Sequence, residues 1–353
     1  MNPYFNDIYK KDVIQAVNNN KFMEKLKGSS ILITGASGLI CSFMTDMLLY
    51  LNEAQNADIK IYATGRNIDR LKKRYEGIED KNLFFVEYDV NKKIDFDFPV
   101  DYIIHGASNA YPAAFSEYPV ETILSNIMGT HNLLNYGKNH STKRLLFISS
   151  GEVYGQIKEA TEDFKEDMSG YVDQIQVRSC YPASKRAAET LCSSYTKEYG
   201  LDTVVVRPCH CYGANVTASD NRATVQFMNN VINGDNIVMK SLGRQLRSYI
   251  YVADCASGIF TVLVNGKSME AYNISNKKSI VTIAEFAENV AMISGKKVVY
   301  DIPDDGTGGN TTPITRQILN SEKLESLGYE ACYDIRQGIK NTYNILKTFK
   351  ENN

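Results

Sequence analysis

The sequence carries no excess of either charge: 39 lysines and arginines face 41 aspartates and glutamates, a formal net charge of -2 over 353 residues. A general nucleic-acid binder needs a basic excess to meet phosphates, so that class is excluded. No stretch approaches the roughly 18 uninterrupted apolar residues of a membrane helix. With only 23 glycines and 8 prolines, collagen-like and disordered compositions are out, and 43% hydrophobic residues suffice for a packed core. The cysteines (Cys41, Cys180, Cys192, Cys209, Cys211, Cys255 and Cys332) are odd in number and scattered. That pattern predicts reduced thiols rather than a disulfide framework. The opening residues MNPYFNDIYKKDV are mixed in charge and lack the apolar core of a signal peptide, so a cytoplasmic location is expected.

Residues 1–28 read as a polar N-terminal extension with one or two helices, contacting the rest through Ile14, Val17 and Phe22. From Ser29 the pattern becomes strand, turn, helix: an apolar run Ile31-Leu32-Ile33, a glycine-containing turn, then an apolar-rich stretch from Leu39 to Leu51. Further strands are predicted at Ile59 to Ala63, Leu83 to Val86, Tyr102 to Ile104, Leu145 to Ile148 and Thr203 to Val206. Their alternation with helices predicts an α/β fold, a doubly wound parallel sheet covered on both faces. This Rossmann-type domain is expected over 29–206, with part of 246–275 returning to it. Residues 207–353 are expected to form mainly a smaller substrate-binding region.

The turn after the first strand reads Thr34-Gly35-Ala36-Ser37-Gly38-Leu39-Ile40-Cys41. Glycines three apart between a strand and a helix let the backbone approach a pyrophosphate at the helix N-terminus. Gly35, Ser37, Gly38, Leu39 and Ile40 are therefore candidate dinucleotide contacts. Cys41 occupies the third glycine position, whose role is close packing. The second strand ends Ala63-Thr64-Gly65-Arg66-Asn67 without the carboxylate that would hold ribose hydroxyls. Arg66 is either a partner for a 2'-phosphate, which favours NADP, or a solvated loop residue. Asp89 and Val90 are candidates for the adenine, and Ala107 and Ser108 for the cofactor path.

Tyr181-Pro182-Ala183-Ser184-Lys185 opens a predicted helix, with Tyr181 and Lys185 on one face. An ammonium beside a phenol favours the phenolate, which suits removing a proton from a hydroxyl as hydride leaves the same carbon. The fifth strand ends Ser149-Ser150-Gly151-Glu152-Val153-Tyr154-Gly155. Ser150 and Glu152 would thus stand where open sheets bind ligands. Cys209-His210-Cys211 lacks further ligands at zinc-compatible spacing, and no metal is expected.

Taken together, these motifs resemble the extended short-chain dehydrogenase/reductases of the NAD-dependent epimerase/dehydratase family. TGASGLIC resembles the family's TGxxGxxG turn, SSGEVYG its Ser/Thr strand motif and YPASK its Tyr-x-x-x-Lys. Asn126 to Thr130 resembles NxxGT, and Arg207 to Ala214 resembles RPxNxYGP with His210 in place of Asn. Within the family the chain is most similar to UDP-glucuronate decarboxylases, through Ser150 to Gly155, Arg178-Ser179-Cys180-Tyr181 and Ala107 to Pro112. The resemblance implies oxidation at sugar C4 by bound NAD(P)+, NAD+ being usual for the family. Tyr181 would be the base, with Lys185, Ser150 and Glu152 assisting. It also implies substrate contacts from Asn126, Arg178, His210 and Arg247, a UDP-sugar substrate and a homodimer through two exposed helices, one of them 182–199. Alternatives are a 4-epimerase, a 4,6-dehydratase, a C4 dehydrogenase, or a non-catalytic NAD(P)-sensing protein. Gly151 stands where dehydratases use an acid, which counts against dehydration.

Overall fold

A computed structural model describes residues 2–157, 162–217, 220–302 and 314–352. The first half runs α1 (Asp7–Asn19), β1 (Ser30–Thr34), α2 (Leu39–Gln55), β2 (Lys60–Gly65), α3 (Ile68–Arg74), β3 (Leu83–Glu87), β4 (Tyr102–His105), α4 (Pro112–Glu117), α5 (Pro119–Asn139), β5 (Arg144–Ile148), α6 (Cys180–Tyr199) and β6 (Thr203–Pro208). The second half adds β7 (His210–Tyr212), α7 (Ala223–Asn233), β8 (Ile237–Met239), β9 (Leu246–Tyr251), α8 (Val252–Asn265), β10 (Ala271–Ile274), β11 (Ile280–Thr282), α9 (Ile283–Ser294), β12 (Val298–Tyr300), β13 (Arg316–Gln317), α10 (Glu322–Glu325) and α11 (Ile335–Glu351). The expected α/β class and doubly wound parallel sheet are what the chain forms.

Seven parallel strands lie in the order β10-β6-β5-β4-β1-β2-β3. Alternation along each strand divides the core into two faces. Ile31, Ile33, Ile104, Leu146 and Val206 point toward α2 and α8, against Phe43, Met47, Ile259 and Phe260. Leu32, Ile103, Leu145, Phe147 and Val205 point the other way, toward α5 and α6, against Leu133, Leu134, Ala188 and Cys192. Chain direction across the sheet reverses between β1 and β4, and ligands of such sheets bind at the carboxyl ends beside that reversal. Outside the sheet, β9 gathers β7, β11 and β13, while β8 pairs with β12.

The N-terminal segment is more deeply integrated than its polarity suggests. Val17 is buried, but Ile14 and Phe22 are only partly covered, and Tyr9, Val13 and Ala16 form the principal contact. Its polar groups are also used: the Tyr9 hydroxyl donates to Asp46 at 2.6 Å, and Asp46 pairs with Arg74. Asp12 accepts from the Tyr251 hydroxyl at 2.6 Å, the Tyr333 hydroxyl at 2.8 Å and the Asn341 amide at 2.8 Å. Periodicity registers the apolar face of a helix but not carboxylates buried because distant tyrosines satisfy them.

Candidate active site

At the end of β1 the backbone turns through Gly35, whose φ of +72° puts it in the left-handed region. A Cβ there would lie 3.0 Å from the Ala107 backbone, so glycine is required by both conformation and space. Gly38 caps α2 without a side-chain bond, and the first turn of α2 carries no acidic residue. The unpaired amides of that turn, from Leu39 onward, are therefore open to an anion, which fits a dinucleotide's pyrophosphate. Cys41 explains how the third glycine is dispensed with. A Cβ on Gly106 would meet its Sγ at 2.3 Å, so the close approach is preserved by a glycine on the opposite strand end. Burial pushes the Cys41 thiol up to about 12, which makes it a packing group.

Two residues to which the motifs assigned no role of their own clamp this turn to its neighbour. The Thr34 hydroxyl accepts from the amides of Gly106 and Ala107, at 3.2 Å each, and lies 2.8 Å from His105 Nδ1. With its acceptor sites taken, Thr34 donates to His105, fixing the neutral tautomer with hydrogen on Nε2. Burial, aided by Lys185, holds His105 down at about 3, so it stays uncharged. A polar residue closing an apolar strand was the available signal for both.

Arg66 is exposed at the end of β2 and makes no ion pair among the described residues. Asp89 is half-buried and accepts from the Asn91 amide at 3.0 Å, while Val90 packs where a side chain on Gly129 would fall. Ser108 donates to Asn126 Oδ1 at 2.8 Å, and Asn126 Nδ2 donates to Ser184 at 2.9 Å. Asn126 is fully buried with both ends of its amide engaged. Asn126 thereby ties the loop after β4 to α6.

The chemical end of the crevice is built on β5 and α6. Ser150 caps a short turn over Gly151–Tyr154 and accepts from the Glu152 amide at 3.1 Å. Pro182 sits in the first turn of α6, where its missing N–H costs no helical bond. Tyr181 is buried, its ring stacked on Phe115 at 4.6 Å. Burial pushes its phenol well above the ordinary value and Glu152 adds to the rise, while a hydrogen bond from Ser150 and the charges of Arg222 and Arg178 draw it down.

Lys185 shares the helix face with Tyr181, yet its ammonium donates to the Ile148 carbonyl at 2.8 Å and lies 5.7 Å from the Tyr181 ring centre. The charges facing the phenol are thus those of arginines, one of which, Arg222, the motifs gave no means of finding. Burial brings Lys185 down to about 7, with Glu189 opposing the shift. Glu189 continues the four-residue spacing of Tyr181 and Lys185. It accepts from the Ser149 hydroxyl at 2.5 Å and from Arg207, fastening the strand end to the helix.

Three arginines stand around the crevice, two of them paired with carboxylates. Arg178 meets Glu152 through a fork, Nη1 to Oε2 at 2.9 Å and Nη2 to Oε1 at 3.0 Å. Arg222 is held by Asp220 at 2.6 Å and donates to the Cys211 carbonyl at 3.2 Å. Arg247 is buried and donates to the carbonyls of Leu246 at 2.9 Å and Ile314 at 2.5 Å. His210 is lowered to about 3, by burial first and then by Arg247 and Arg222, and is therefore neutral. Among the described residues no group of three or more His, Cys, Asp or Glu is placed to hold a metal ion, and all seven cysteines are unpaired. No described helix is long and apolar enough to cross a membrane.

The family model described as the NAD dependent epimerase/dehydratase family matches residues 31–275. UDP-glucuronic acid decarboxylase 6 of Arabidopsis thaliana is 32% identical over 327 residues, covering 91% of this chain and 89% of that protein. An epimerase structure from Methanothermobacter thermautotrophicus superposes with a TM-score of 0.79 at 20% identity, over 94% of this chain and 96% of that one. A Bacillus cereus UDP-glucuronic acid 4-epimerase, solved with UDP-glucuronic acid and NAD, gives 0.75 at 21% identity, over 91% and 99%. At such identities the two structures speak for the fold alone.

Proposed function

Because the chain belongs to the NAD dependent epimerase/dehydratase family, we propose that it is a nucleotide-sugar enzyme that converts UDP-glucuronate to UDP-xylose through a 4-keto sugar. The observation that carries this reading is the convergence of Ser150, Tyr181 and the Glu152–Arg178 pair at the carboxyl ends beside the sheet's reversal. The curated relative's name supplies the substrate. The turn from Gly35 to Ile40 would hold a nicotinamide dinucleotide, which when bound supplies the acceptor and later the donor of hydride. Residues 29–206 with β10 would then serve the cofactor, and the remainder of 207–353 the sugar nucleotide.

Tyr181 would take the proton of the C4 hydroxyl when the positive charge of a bound oxidised nicotinamide, with Arg178 and Arg222, offsets the burial that raises its phenol, and Ser150 donates a hydrogen bond to the same oxygen. Once C4 is a ketone, the sugar carboxylate stands β to it. Loss of carbon dioxide leaves the bonding pair delocalised onto the C4 oxygen, which Ser150 and protonated Tyr181 stabilise. A proton returned to C5, and hydride to C4, complete a redox-neutral cycle. Gly151 argues against 4,6-dehydration, since it offers no side-chain acid where dehydratases carry one. A non-catalytic sensor has no need of Tyr181 beside Ser150.

Three finer features belong to the same proposal. Val120, Leu124 and Met128 form an exposed apolar stripe along α5, beside α6, which suits a homodimer through those helices. Seven unpaired cysteines suit a reducing compartment such as the cytoplasm. The free guanidinium of Arg66 suits NADP. Arg66→Ala should then weaken NADP about tenfold more than NAD in a binding titration, the loss of a charge-assisted bond; equal losses would remove the preference.

The test of the function is mass analysis of the sugar nucleotide after incubation of the protein with UDP-glucuronate and NAD+ or NADP+. UDP-xylose is expected; unchanged substrate would reject the decarboxylase reading.

A further inference from the structure

Among the described cations around Tyr181, Arg178 has the most exposed side chain, and its fork is held by a carboxylate rather than by main chain. Both terminal nitrogens of Arg247 are occupied by main-chain carbonyls, and the residue is buried. Arg222 is clasped by both oxygens of Asp220 and by the Cys211 carbonyl. The Lys185 ammonium is buried against the Ile148 carbonyl. The Arg178 side chain is half exposed, and its fork is filled by a carboxylate of this chain, Glu152. Arg178 also lies 5.7 Å from the centre of the Phe115 ring that stacks on Tyr181, one ring away from the reacting phenol.

A planar guanidinium accepting a carboxylate edge to edge recognises that group wherever it comes from. We infer that Glu152 is a stand-in for the sugar carboxylate, so that substrate binds by exchanging its own carboxylate for Glu152 on the Arg178 fork. The inference rests on the reading that the sugar is a glucuronate. It explains why the pair is built at the crevice mouth, where a half-exposed ion pair contributes little to stability and opens at small cost. It also makes Arg178 the residue that separates a uronic acid from a neutral sugar. Exchange leaves Glu152 facing the bound sugar without its cation, so removing the Glu152 charge should favour binding.

The test is calorimetric titration of the NAD+-supplemented protein with UDP-glucuronate and, separately, UDP-glucose. Glu152→Gln should bind UDP-glucuronate up to about fivefold more tightly, the ceiling for releasing a half-exposed pair. Its affinity for UDP-glucose should be unchanged. Arg178→Gln should lose the preference for UDP-glucuronate over UDP-glucose, by about tenfold or more. Equal weakening of both ligands by Glu152→Gln, or a preference that survives Arg178→Gln, overturns the exchange while leaving the decarboxylase reading intact. Wild-type protein that shows no preference for UDP-glucuronate overturns both.

Discussion

Asp46 and Arg74, beneath the N-terminal helix, have side chains 0% and 7% exposed, whereas Glu152 and Arg178, at the crevice, are 28% and 50% exposed. The groups are alike, and the solvent around them is not. In the first region the ions are enclosed with Tyr9 and tie α1, α2 and α3 together; removing one partner strands the other in a dry core. In the second, water can replace either partner, so the pair is free to part when a ligand arrives. Burial makes an ion pair a fastener, and partial exposure leaves it able to serve as a recognition device.

Changes at the two sites should therefore separate stability from chemistry. The largest loss of activity is expected from Tyr181→Phe, about 1,000-fold in kcat with cofactor binding retained, measured by single-turnover kinetics and cofactor titration. Retained turnover would remove Tyr181 from the mechanism. Arg74→Met should lower unfolding free energy by about 3–5 kcal/mol, because Asp46 is left buried and unpaired. Arg178→Met should lower it by less than about 1 kcal/mol. Similar losses in chemical denaturation would break the contrast.

The buried carboxylates also predict how stability responds to pH. Asp254 receives the amides of Cys332 and Tyr333, but burial outweighs them and raises it to about 7; Asp12 is pushed the same way, again by burial. A carboxyl with a raised folded value contributes stability that is fully present below its unfolded value near 4 and is lost as pH rises through about 7. Unfolding free energy should fall across that window by at most roughly 1.4 kcal/mol per pH unit from Asp254. Asp254→Asn should flatten the slope. An unchanged slope would show that another group sets it.

A further effect on stability is expected where no charge is involved. Gly106→Ala should cost about 1–3 kcal/mol through its clash with Cys41, and Cys41→Gly should recover most of it. Additive losses in the double variant would mean that the two residues do not share the contact.

The same division governs what the sequence made legible. Apolar runs placed the six strands from Ile31 to Val206 because strand burial is local and periodic, and the Gly35 and Gly38 spacing disclosed the turn because backbone conformation demands glycine there. Tyr181 and Lys185 were readable as one face of a helix. What escaped was set by partners remote in sequence: Asp12 with Tyr251, Tyr333 and Asn341, Asn126 between Ser108 and Ser184, and Arg222 beside Tyr181. Lys185 shows the limit of spacing, which gives the helix face but not the carbonyl that its ammonium selects.

The central claim is a redox-neutral decarboxylation, and it is tested most directly by following nicotinamide absorbance and released carbon dioxide together in one reaction with UDP-glucuronate. The account predicts stoichiometric carbon dioxide with reduced cofactor that rises transiently and returns to its starting level. Reduced cofactor accumulating in step with a keto sugar, or turnover of UDP-glucuronate without carbon dioxide, would contradict it.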